Sequence, residues 1–278
     1  MAAAEALGLC GRSVIPALFP FLVLSTLLVS LDFGELVSPW FAGLMTPLFR
    51  LPGSAGSALA LGLAGGYPIG AQTAVQLYRE GVLTRAETER LLAFCNNSNP
   101  VFLISVLGAG VFGSVRTGVW LWLIHILSAL LAGLLFRGKR SPAHQRPARK
   151  TTCQRVSFAA ALVGAVKGGL MGMLSVCAFV IFFYVLASPL AALGGRLGPV
   201  LVGLTELFSL TPLIPPDGFG FVLAAGCAGW GGLSVLCQTA AVLEGSGLRL
   251  RNCVLGKVLQ GLLSAVLALA LRGYVLGV

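Results

Sequence analysis

Apolar runs long enough to cross a bilayer recur along nearly the whole chain, and they restrict its fold more than any other feature. A membrane-spanning helix needs about 20 apolar residues, and runs of this order include 13–31, 55–78, 115–136 and 254–276. The runs are continuous, whereas the strands of a membrane β-barrel alternate apolar and polar residues. Charged residues make up only 10% of the chain, against about a quarter in soluble domains. The sequence therefore predicts an all-α polytopic membrane protein.

The charges indicate how the chain is oriented in the membrane. The net charge is +10, but the basic residues stand in short clusters between apolar runs, and no soluble basic domain is present to hold a nucleic acid. The largest cluster, the loop 137–155, carries seven Lys and Arg and no acid. Because Lys and Arg are enriched in cytoplasmic loops, this loop is predicted to be cytoplasmic. The expected partner is the lipid bilayer and not a nucleic acid.

The basic loop 137–155 also separates two membrane halves, residues 1–136 and 156–278, that are predicted to be related. Shifting the chain by 166 residues aligns "GGYPIGAQTAVQLYREGVLTR" (65–85) with "GGLSVLCQTAAVLEGSGLRLR" (231–251), and eight of the 21 positions are identical. Both copies have a Gly-Gly pair followed at a fixed distance by Gln-Thr-Ala. This shared pattern predicts an internal duplication.

Each copy places its Gly-Gly pair near the middle of a membrane-length run. Glycine tolerates most backbone angles, and the nearby Pro68 lacks an amide donor, so a broken or re-entrant helix is predicted at both pairs. Irregular backbone at membrane depth occurs where protein or a water-filled cavity supplies partners, and such breaks form ligand sites in repeat-built transporters. The alternative is close helix packing through small residues. Just past the breaks lie polar side chains that would bind a solute: Gln72, Thr73, Gln238 and Thr239.

The segment "NNSNP", Asn96 to Pro100, interrupts another apolar run. Polar groups at membrane depth are costly unless they find partners. The segment is therefore predicted to unwind a span and to present amide groups to a cavity near the two Gln-Thr pairs. The alternative is a turn between two short helices in a cytoplasmic loop, close to the charged segment 79–90.

Few ionisable residues lie inside the apolar runs, and such residues are candidates for function by default. Glu206 would either bind a coupling cation or proton, or form an ion pair with Lys167. Lys167 and Lys257 would either face the cavity, which favours an anionic solute, or extend to the membrane interface. The seven cysteines contain no C-x-x-C pair and are interpreted as small buried apolar residues.

No arrangement typical of an enzyme or a metal site is found in the sequence. The chain has two histidines and no H-E-x-x-H motif, and His125 is interpreted as a packed or interfacial residue. A nucleophile with a nearby base is also missing. The expectation is therefore a protein that is not an enzyme and that uses no metal and no cofactor.

The motifs "VIPALFPFLVLSTLL", "GGYPIGAQTA", "LLAFCNNSNPVFLIS" and "GWGGLSVLCQ" together resemble the YlbJ family of sporulation integral membrane proteins, also called SpoVV. That family has the nucleoside-recognition, or gate, domain of concentrative nucleoside transporters. The resemblance implies a repeat-built transporter with two hairpin-like elements, and for the sporulation branch it implies transport of dipicolinate. Asn99 departs from the family motif, in which a small residue is expected.

The relative direction of the two halves has two solutions. If both glycine motifs are re-entrant hairpins, the copies are parallel and every large basic cluster lies inside. If each motif crosses the membrane, the copies are inverted and Arg249 and Arg251 lie outside. The resemblance to nucleoside transporters favours inverted repeats, which is the arrangement predicted.

The function predicted is transport of a small polar, anionic solute, with or without a coupling cation or proton, in a bacterial inner membrane or outer forespore membrane. The alternatives are a transporter of a nucleoside-type solute and a membrane scaffold for spore assembly that transports nothing. The sequence leaves open whether the chain forms a homo-oligomer. The candidate solute-binding residues are Gly66, Tyr67, Pro68, Gln72, Thr73, Asn96, Asn97, Ser98, Asn99, Lys167, Glu206, Gly231, Gly232, Ser234, Gln238 and Thr239.

Overall fold

The computed structural model describes residues 2–31, 33–138 and 157–277, and all regular structure in these ranges is helical. Most of the predicted basic loop, residues 139–155, lies outside them. Shorter π-helical segments (Cys10–Val14, Met45–Phe49, Phe102–Val111) and 3-10 turns (Gly53–Ala55, Thr211–Leu213) connect the α-helices. The α-helices are α1 (Ala2–Leu9), α2 (Ile15–Ser30), α3 (Phe33–Leu44), α4 (Gly56–Gly65), α5 (Ile69–Arg79), α6 (Arg85–Leu91), α7 (Val115–Leu135), α8 (Phe158–Ala191), α9 (Leu197–Thr205), α10 (Leu207–Leu210), α11 (Gly218–Trp230), α12 (Gly232–Leu243) and α13 (Arg251–Leu276).

Four stretches among the described residues are long and apolar enough to cross a membrane: α7, α8, α13, and α11 with α12 taken together as Gly218–Leu243. A fifth is added if the bent pair Ala2–Val14 and Leu18–Leu28, which meet at 59°, forms one span. The prediction of an all-α polytopic membrane protein is confirmed. Other apolar runs of the sequence do not form single straight helices, and two of them fold back on themselves.

Hydrogen bonds and cation–π contacts between helix termini identify two opposite ends of the molecule. At the first, Arg137 donates to the carbonyl of Pro47 over 2.7 Å, Arg90 donates to the carbonyl of Arg50 over 3.4 Å, and the backbone amide of Arg249 donates to Glu89 over 3.0 Å. This "basic end" is where the loop 137–155 begins. From the positive-inside rule we expect the basic end to face the cytoplasm, and this orientation stays a prediction.

At the opposite end, Arg116 lies over the ring of Tyr274, 5.6 Å from its centroid, and Arg196 lies over Phe219 at 4.6 Å. Here α7 begins, α8 gives way to α9, α11 begins and α13 ends. The contact from Arg249 to Glu89 places the start of α13 at the basic end. Arg249 therefore lies at the same end as the start of the loop 137–155, whereas the inverted arrangement of the two motif copies expected it at the other end; the side of the membrane stays a prediction.

The first glycine motif forms a re-entrant hairpin, residues 56–79, with both feet at the basic end. A Cβ built on Gly62 of α4 would lie 3.0 Å from the Cα of Gly70 in α5. In a continuous helix, residues eight apart are separated by about 12 Å. The chain therefore reverses at Gly66–Pro68, where Gly66 has a φ of +82° that suits glycine.

A second hairpin, residues 197–213, enters from the opposite end. The helix α9 runs inward from Arg196 and ends at Glu206, after which α10 and a 3-10 turn lead back toward Asp217. Nine helical residues span about 14 Å, so the tip at Thr205–Leu207 reaches the middle of the molecule. The two hairpins thus enter from opposite ends, and their tips approach each other.

The second glycine motif lies in an interrupted span, Gly218–Leu243, that continues in roughly one direction. Its break is confined to Gly231 and Gly232, with φ values of +86° and +85°. The two motif copies therefore have different structures, one a hairpin and the other a crossing. The division of the chain into two related halves at 137–155 stays a prediction.

Small residues bring the scaffold helices close together. A Cβ on Gly169 of α8 would lie 3.1 Å from the backbone nitrogen of Val23 in α2. A Cβ on Gly108 would lie 2.7 Å from the backbone nitrogen of Gly118 in α7. Real Cβ atoms do not approach so closely, so these glycines permit contacts in which lipid-facing helices pack backbone against backbone.

Candidate functional site

Four breaks in regular structure meet at one point inside the molecule. A Cβ on Gly66, at the tip of the first hairpin, would lie 2.9 Å from the Cβ of Asn99. A Cβ on Gly231 would lie 3.2 Å from the Tyr67 hydroxyl oxygen, and a Cβ on Gly232 would lie 2.9 Å from the carbonyl oxygen of Thr205. Both hairpin tips, the asparagine segment 96–100 and the interrupted span therefore contact one another.

A small cavity of about 30 Å³ lies where these elements meet. This is close to the volume that one water molecule occupies in the liquid. Its apolar walls come from α2, α8 and the segments around Phe102 and Phe208. Its polar lining comes from every interrupted element: Tyr67, Ser98, Asn99, Glu206 and Gln238. The structure thus brings together side chains that lie far apart in the sequence.

Tyr67 connects the first hairpin to three other elements. Its hydroxyl donates to the backbone carbonyl of Ala228 in α11 over 2.9 Å and accepts from the hydroxyl of Ser98 over 3.2 Å. It also accepts from the amine of Lys257 in α13 over 3.3 Å. The Ala228 carbonyl lies near the Gly231 break, so the tyrosine supplies a partner where the helix is about to lose its regular pattern.

The asparagine segment is buried, and most of its side chains bind neighbouring backbone or helices. Asn96 Nδ2 donates to Thr239 Oγ1 over 2.9 Å, and Asn97 Nδ2 donates to the carbonyl of Phe94 over 2.8 Å. Asn99 Oδ1 accepts from the amide of Phe102 over 2.7 Å, just before the helical stretch that begins at Pro100. The prediction that this segment unwinds a run at depth agrees with the structure, and the exposed-turn alternative does not.

Lys257 is fully buried, with 0% of its surface exposed. Its amine donates to Gln260 Oε1 over 2.8 Å and to the carbonyl of Asn96 over 3.1 Å, besides the bond to Tyr67. No carboxylate forms an ion pair with it among the described residues, where the single ion pair is Arg85–Glu89. Three neutral oxygens therefore satisfy the three donors of the ammonium group. Lys257 therefore does not extend to an interface, and it lies behind the cavity lining, in contact with the lining residue Tyr67.

His125 and Gln260 extend the polar network deeper into α7 and α13. His125 Nε2 accepts from the backbone amide of Ser98 over 3.1 Å, and Gln260 Nε2 donates to Asn97 Oδ1 over 3.0 Å. His125 Nδ1 and Asn96 Oδ1 are buried without a hydrogen-bond partner among the described residues. His125 is thus a packed residue, as interpreted from the sequence, and it holds the backbone of the asparagine segment.

Glu206 sits at the tip of the second hairpin with 2% of its surface exposed. Its Oε2 accepts from the amide of Ser209, which makes it the N-cap of α10, and from the Ser209 hydroxyl over 2.6 Å. The ion pair with Lys167 that the sequence left open is not formed. The carboxylate therefore faces the cavity with its charge balanced by short local hydrogen bonds alone.

The polar residues of α12 are buried against the site. Gln238 lines the cavity, and its Nε2 donates to Ser234 Oγ over 3.4 Å. Thr239 donates to the carbonyl of Val235 over 2.8 Å while it accepts from Asn96. Gly231 and Gly232 supply the break through which Tyr67 and Thr205 approach.

Two of the candidates lie on exposed helix faces, away from the cavity. Gln72 points away from the packed side of α5 and is exposed. Lys167 is exposed on the face of α8 opposite Ala165 and Gly169, which pack toward α2. A third, Thr73, is buried but donates to the carbonyl of Ile69 in its own helix over 3.0 Å.

Lys257, Gln260 and Ser264 are not among the solute-binding residues predicted from the sequence, although Lys257 is one of the few ionisable residues inside the apolar runs. Ser264 Oγ lies 2.7 Å from Ser128 Oγ of α7. The three residues are spaced by three and four positions, which places them on one face of α13. A polar stripe with helical spacing inside an apolar run is the signal that would have identified them.

The cysteines and acids of the described residues suggest no metal centre. No group of three or more His, Cys, Asp or Glu side chains is placed to hold a metal ion in the described part of the chain. Cys10, Cys95, Cys177, Cys227 and Cys253 are buried as predicted, whereas Cys237 is exposed. Cys153 lies outside the described residues.

Comparison with known proteins agrees with the motifs. A family described as nucleoside recognition, Gate, matches residues 12–118, which include the first hairpin and the asparagine segment. The sporulation integral membrane protein YlbJ of Bacillus subtilis (strain 168) is 29% identical over an alignment covering 93% of this chain and 74% of that protein. No solved structure matches the chain. The resemblance predicted from the motifs is confirmed: the chain is similar to YlbJ over most of its length, and it is a multi-pass integral membrane protein.

Proposed function

We propose that this protein is a membrane transporter of a small polar, anionic solute, which binds where the two hairpin tips meet. One observation carries the proposal: hairpins that enter from opposite ends close on a single polar cavity. Discontinuous helices around a site near the membrane midplane are the usual construction of repeat-built transporters. Each hairpin is positioned to open the cavity toward one side only.

The size of the cavity indicates that this conformation is closed. About 30 Å³ is far below the roughly 300 Å³ of a small-molecule site. A solute therefore enters only after one hairpin moves away from the cavity. Alternating movement of the two hairpins gives access from one side at a time.

The order of the elements supports an inverted pair of halves. In the first half, a hairpin from the basic end is followed by an interrupted segment that runs toward the opposite end and by α7, which returns to the basic end. In the second half, a hairpin from the opposite end is followed by an interrupted span that runs toward the basic end and by α13, which returns to the opposite end. This pairing sets 92–111 against 218–243, a different correspondence from the 166-residue offset of the glycine motifs.

The chemistry of the cavity favours a solute with oxygen acceptors. Tyr67, Ser98 and Gln238 line the cavity with hydroxyl and amide donors, which bind protein acceptors in this conformation. The ammonium group of Lys257 lies behind the Tyr67 hydroxyl at 3.3 Å. Such donors, with a positive charge near them, suit a carboxylate. Glu206 would bind a proton or a coupling cation, which would reduce its repulsion of an anionic solute. Dipicolinate, which the family resemblance implies, is the first solute to test.

A nucleoside-type solute is the second candidate. The family match described as nucleoside recognition covers residues 12–118 and therefore includes Tyr67 and the asparagine segment. A nucleoside has no carboxylate, so its transport would not depend on the positive charge of Lys257.

Uptake into proteoliposomes tests the proposal. Labelled dipicolinate and labelled uridine are offered to the full chain, to Ser98→Ala and Glu206→Gln, and to a matched control, Lys167→Gln on the outer face of α8. Saturable uptake that falls at least about tenfold in the two cavity variants and is unchanged in the control is expected. Equal uptake by all variants would show that the solute does not bind at this cavity. If no solute of either class were transported and none raised the melting temperature, the scaffold alternative would be favoured.

A further inference from the structure

A second pocket, of about 360 Å³, lies at the opposite end of the molecule, away from the hairpin tips. It is formed where α8 gives way to α9, where α11 begins and where α13 ends. Its charged lining is Arg196, Arg272 and Asp217, and its apolar lining is Phe219, Val222 and Leu269. None of these residues contributes to the cavity described above, so the pocket has a separate role.

The charges of the pocket favour an anion. Asp217 Oδ1 accepts from the amide of Gly220 over 2.8 Å as the N-cap of α11, so this carboxylate is already engaged. Neither the guanidinium group of Arg196 nor that of Arg272 has a hydrogen bond or ion pair among the described residues. Arg196 is held over the ring of Phe219 at 4.6 Å. Two guanidinium groups, with their planar arrays of donors, are suited to a phosphate oxygen pair.

The pocket changes from charged to apolar toward the middle of the membrane. Asp217 and Arg272 stand at the ends of their spans. Val222 lies five residues into α11, about 7 Å deeper, and Leu269 lies three residues before Arg272, about 4 Å deeper. Leu269 is also 52% exposed on the outside of α13. A soluble anion would make no favourable contact with these apolar walls. The acyl chain of a phospholipid, in contrast, extends from its headgroup toward the middle of the membrane and would lie against them.

We propose that this pocket binds the phosphate headgroup of an anionic phospholipid of the non-cytoplasmic leaflet, with the upper part of an acyl chain against Val222 and Leu269. Arg196 and Arg272 hold the phosphodiester through their guanidinium donors. The proposal does not depend on the solute or on transport itself.

Native mass spectrometry of the purified full chain tests the pocket. Phosphatidylglycerol is titrated onto the protein, with phosphatidylcholine as the neutral lipid. The variants are Arg196→Gln/Arg272→Gln and a matched control, Arg116→Gln, which removes an arginine at the same end but outside the pocket. The expected result is a loss of phosphatidylglycerol affinity on the order of tenfold or more in the double variant, with Arg116→Gln and phosphatidylcholine binding unchanged.

Thermal unfolding shows whether the double variant is folded. If it is not, Arg196→Lys and Arg272→Lys replace it; they keep the charge but lose the paired donors, and a several-fold loss is expected for each. Unchanged lipid binding in the folded variants would overturn the proposal, as would an equal loss in Arg116→Gln, which would indicate general charge attraction. Full displacement of phosphatidylglycerol by millimolar inorganic phosphate would make this a site for a soluble anion and overturn the lipid assignment.

Discussion

The contact between the first hairpin and the asparagine segment can be tested by adding one methyl group. Gly62 and Gly70 face each other, and a Cβ on either would overlap the carbonyl oxygen of Cys95 and lie within 3.0 Å of its carbonyl carbon. The obstructing atoms are backbone, and the next residue is held by the bond from Asn96 to Thr239. The carbonyl therefore cannot move away without breaking other contacts.

Gly70→Ala is therefore expected to lower the free energy of unfolding by about 3 kcal/mol, the upper part of the range for overpacked cores. For a chain of this size that corresponds to a fall in melting temperature of about 6–12 °C. The matched control is Gly164→Ala in α8, where a Cβ meets nothing within 4 Å. There the higher helix propensity of alanine predicts no loss of stability and a gain of up to about 1 kcal/mol.

Thermal unfolding followed by tryptophan fluorescence measures both variants. The double variant Gly62→Ala/Gly70→Ala adds a sharper test, because both methyl groups displace the same carbonyl. Its destabilisation is expected to be smaller than the sum of the two single effects. If Gly70→Ala melted within about 1 °C of the unmodified protein, the first hairpin would not pack on Cys95 as described.

Three further results are expected. Gly232→Ala lowers the free energy of unfolding by about 1–2 kcal/mol in thermal unfolding, because its φ of +85° is unfavourable for an L residue; an unchanged melting temperature would contradict the break. Thr239→Val removes the acceptor for Asn96 and costs about 1–3 kcal/mol, and most of this effect disappears in an Asn96→Ala background if the bond is its cause. In a Cys153→Ser protein, a membrane-permeant maleimide labels only Cys237, the exposed cysteine of the described residues, and mass spectrometry detecting a second labelled thiol in the folded state would contradict the burial.

Hydropathy predicted helices correctly but not whether a run crosses the membrane. The runs 55–78 and 115–136 are similar in length, yet the first is a hairpin and the second is the straight helix α7. Whether an interrupted run reverses or crosses depends on which backbone and side-chain groups pack against the interruption. The Gly62–Gly70 approach that closes the hairpin depends on the carbonyl of Cys95, and the sequence pattern carries no information about that contact.

The duplicated motif predicted the same role for matching residues of its two copies, but the fold places these residues in different environments. Gln72 and Gln238 occupy the same position in the two copies, but Gln72 is exposed and Gln238 is 5% exposed and lines the cavity. The first belongs to a hairpin foot at the edge of the structure, and the second belongs to a span packed against several helices. Whether a side chain at membrane depth faces the cavity depends on the helices that pack around its own helix. The sequence alignment of the two motif copies carries no information about that packing.

The two lysines inside apolar runs show the same limit. Lys167 and Lys257 both lie in long apolar helices, and the sequence left both alternatives open for each. Lys257 lies one turn before Gln260, on a face of α13 that carries further polar residues, whereas Lys167 is flanked by Val166 and Leu170 on the exposed face of α8. The helical spacing of neighbouring polar residues separates the buried lysine from the exposed one.

The hydrogen bonds at the site indicate which hairpin opens more readily from this closed state. The tip of the first hairpin is held through Tyr67, whose hydroxyl bonds Ala228, Ser98 and Lys257. Withdrawing it leaves three buried polar groups short of a partner, at about 1–3 kcal/mol each, unless water or solute replaces the tyrosine.

The second hairpin has fewer bonds of this kind. Glu206 bonds Ser209 within the same hairpin and keeps those bonds as it moves. Among the described residues, one side-chain hydrogen bond joins the second hairpin to the interrupted span: Trp230 Nε1 donates to the carbonyl of Leu204 over 2.9 Å. Opening toward the opposite end therefore breaks less of the network. Opening toward the basic end requires water or a solute to replace the hydrogen bonds of the Tyr67 hydroxyl.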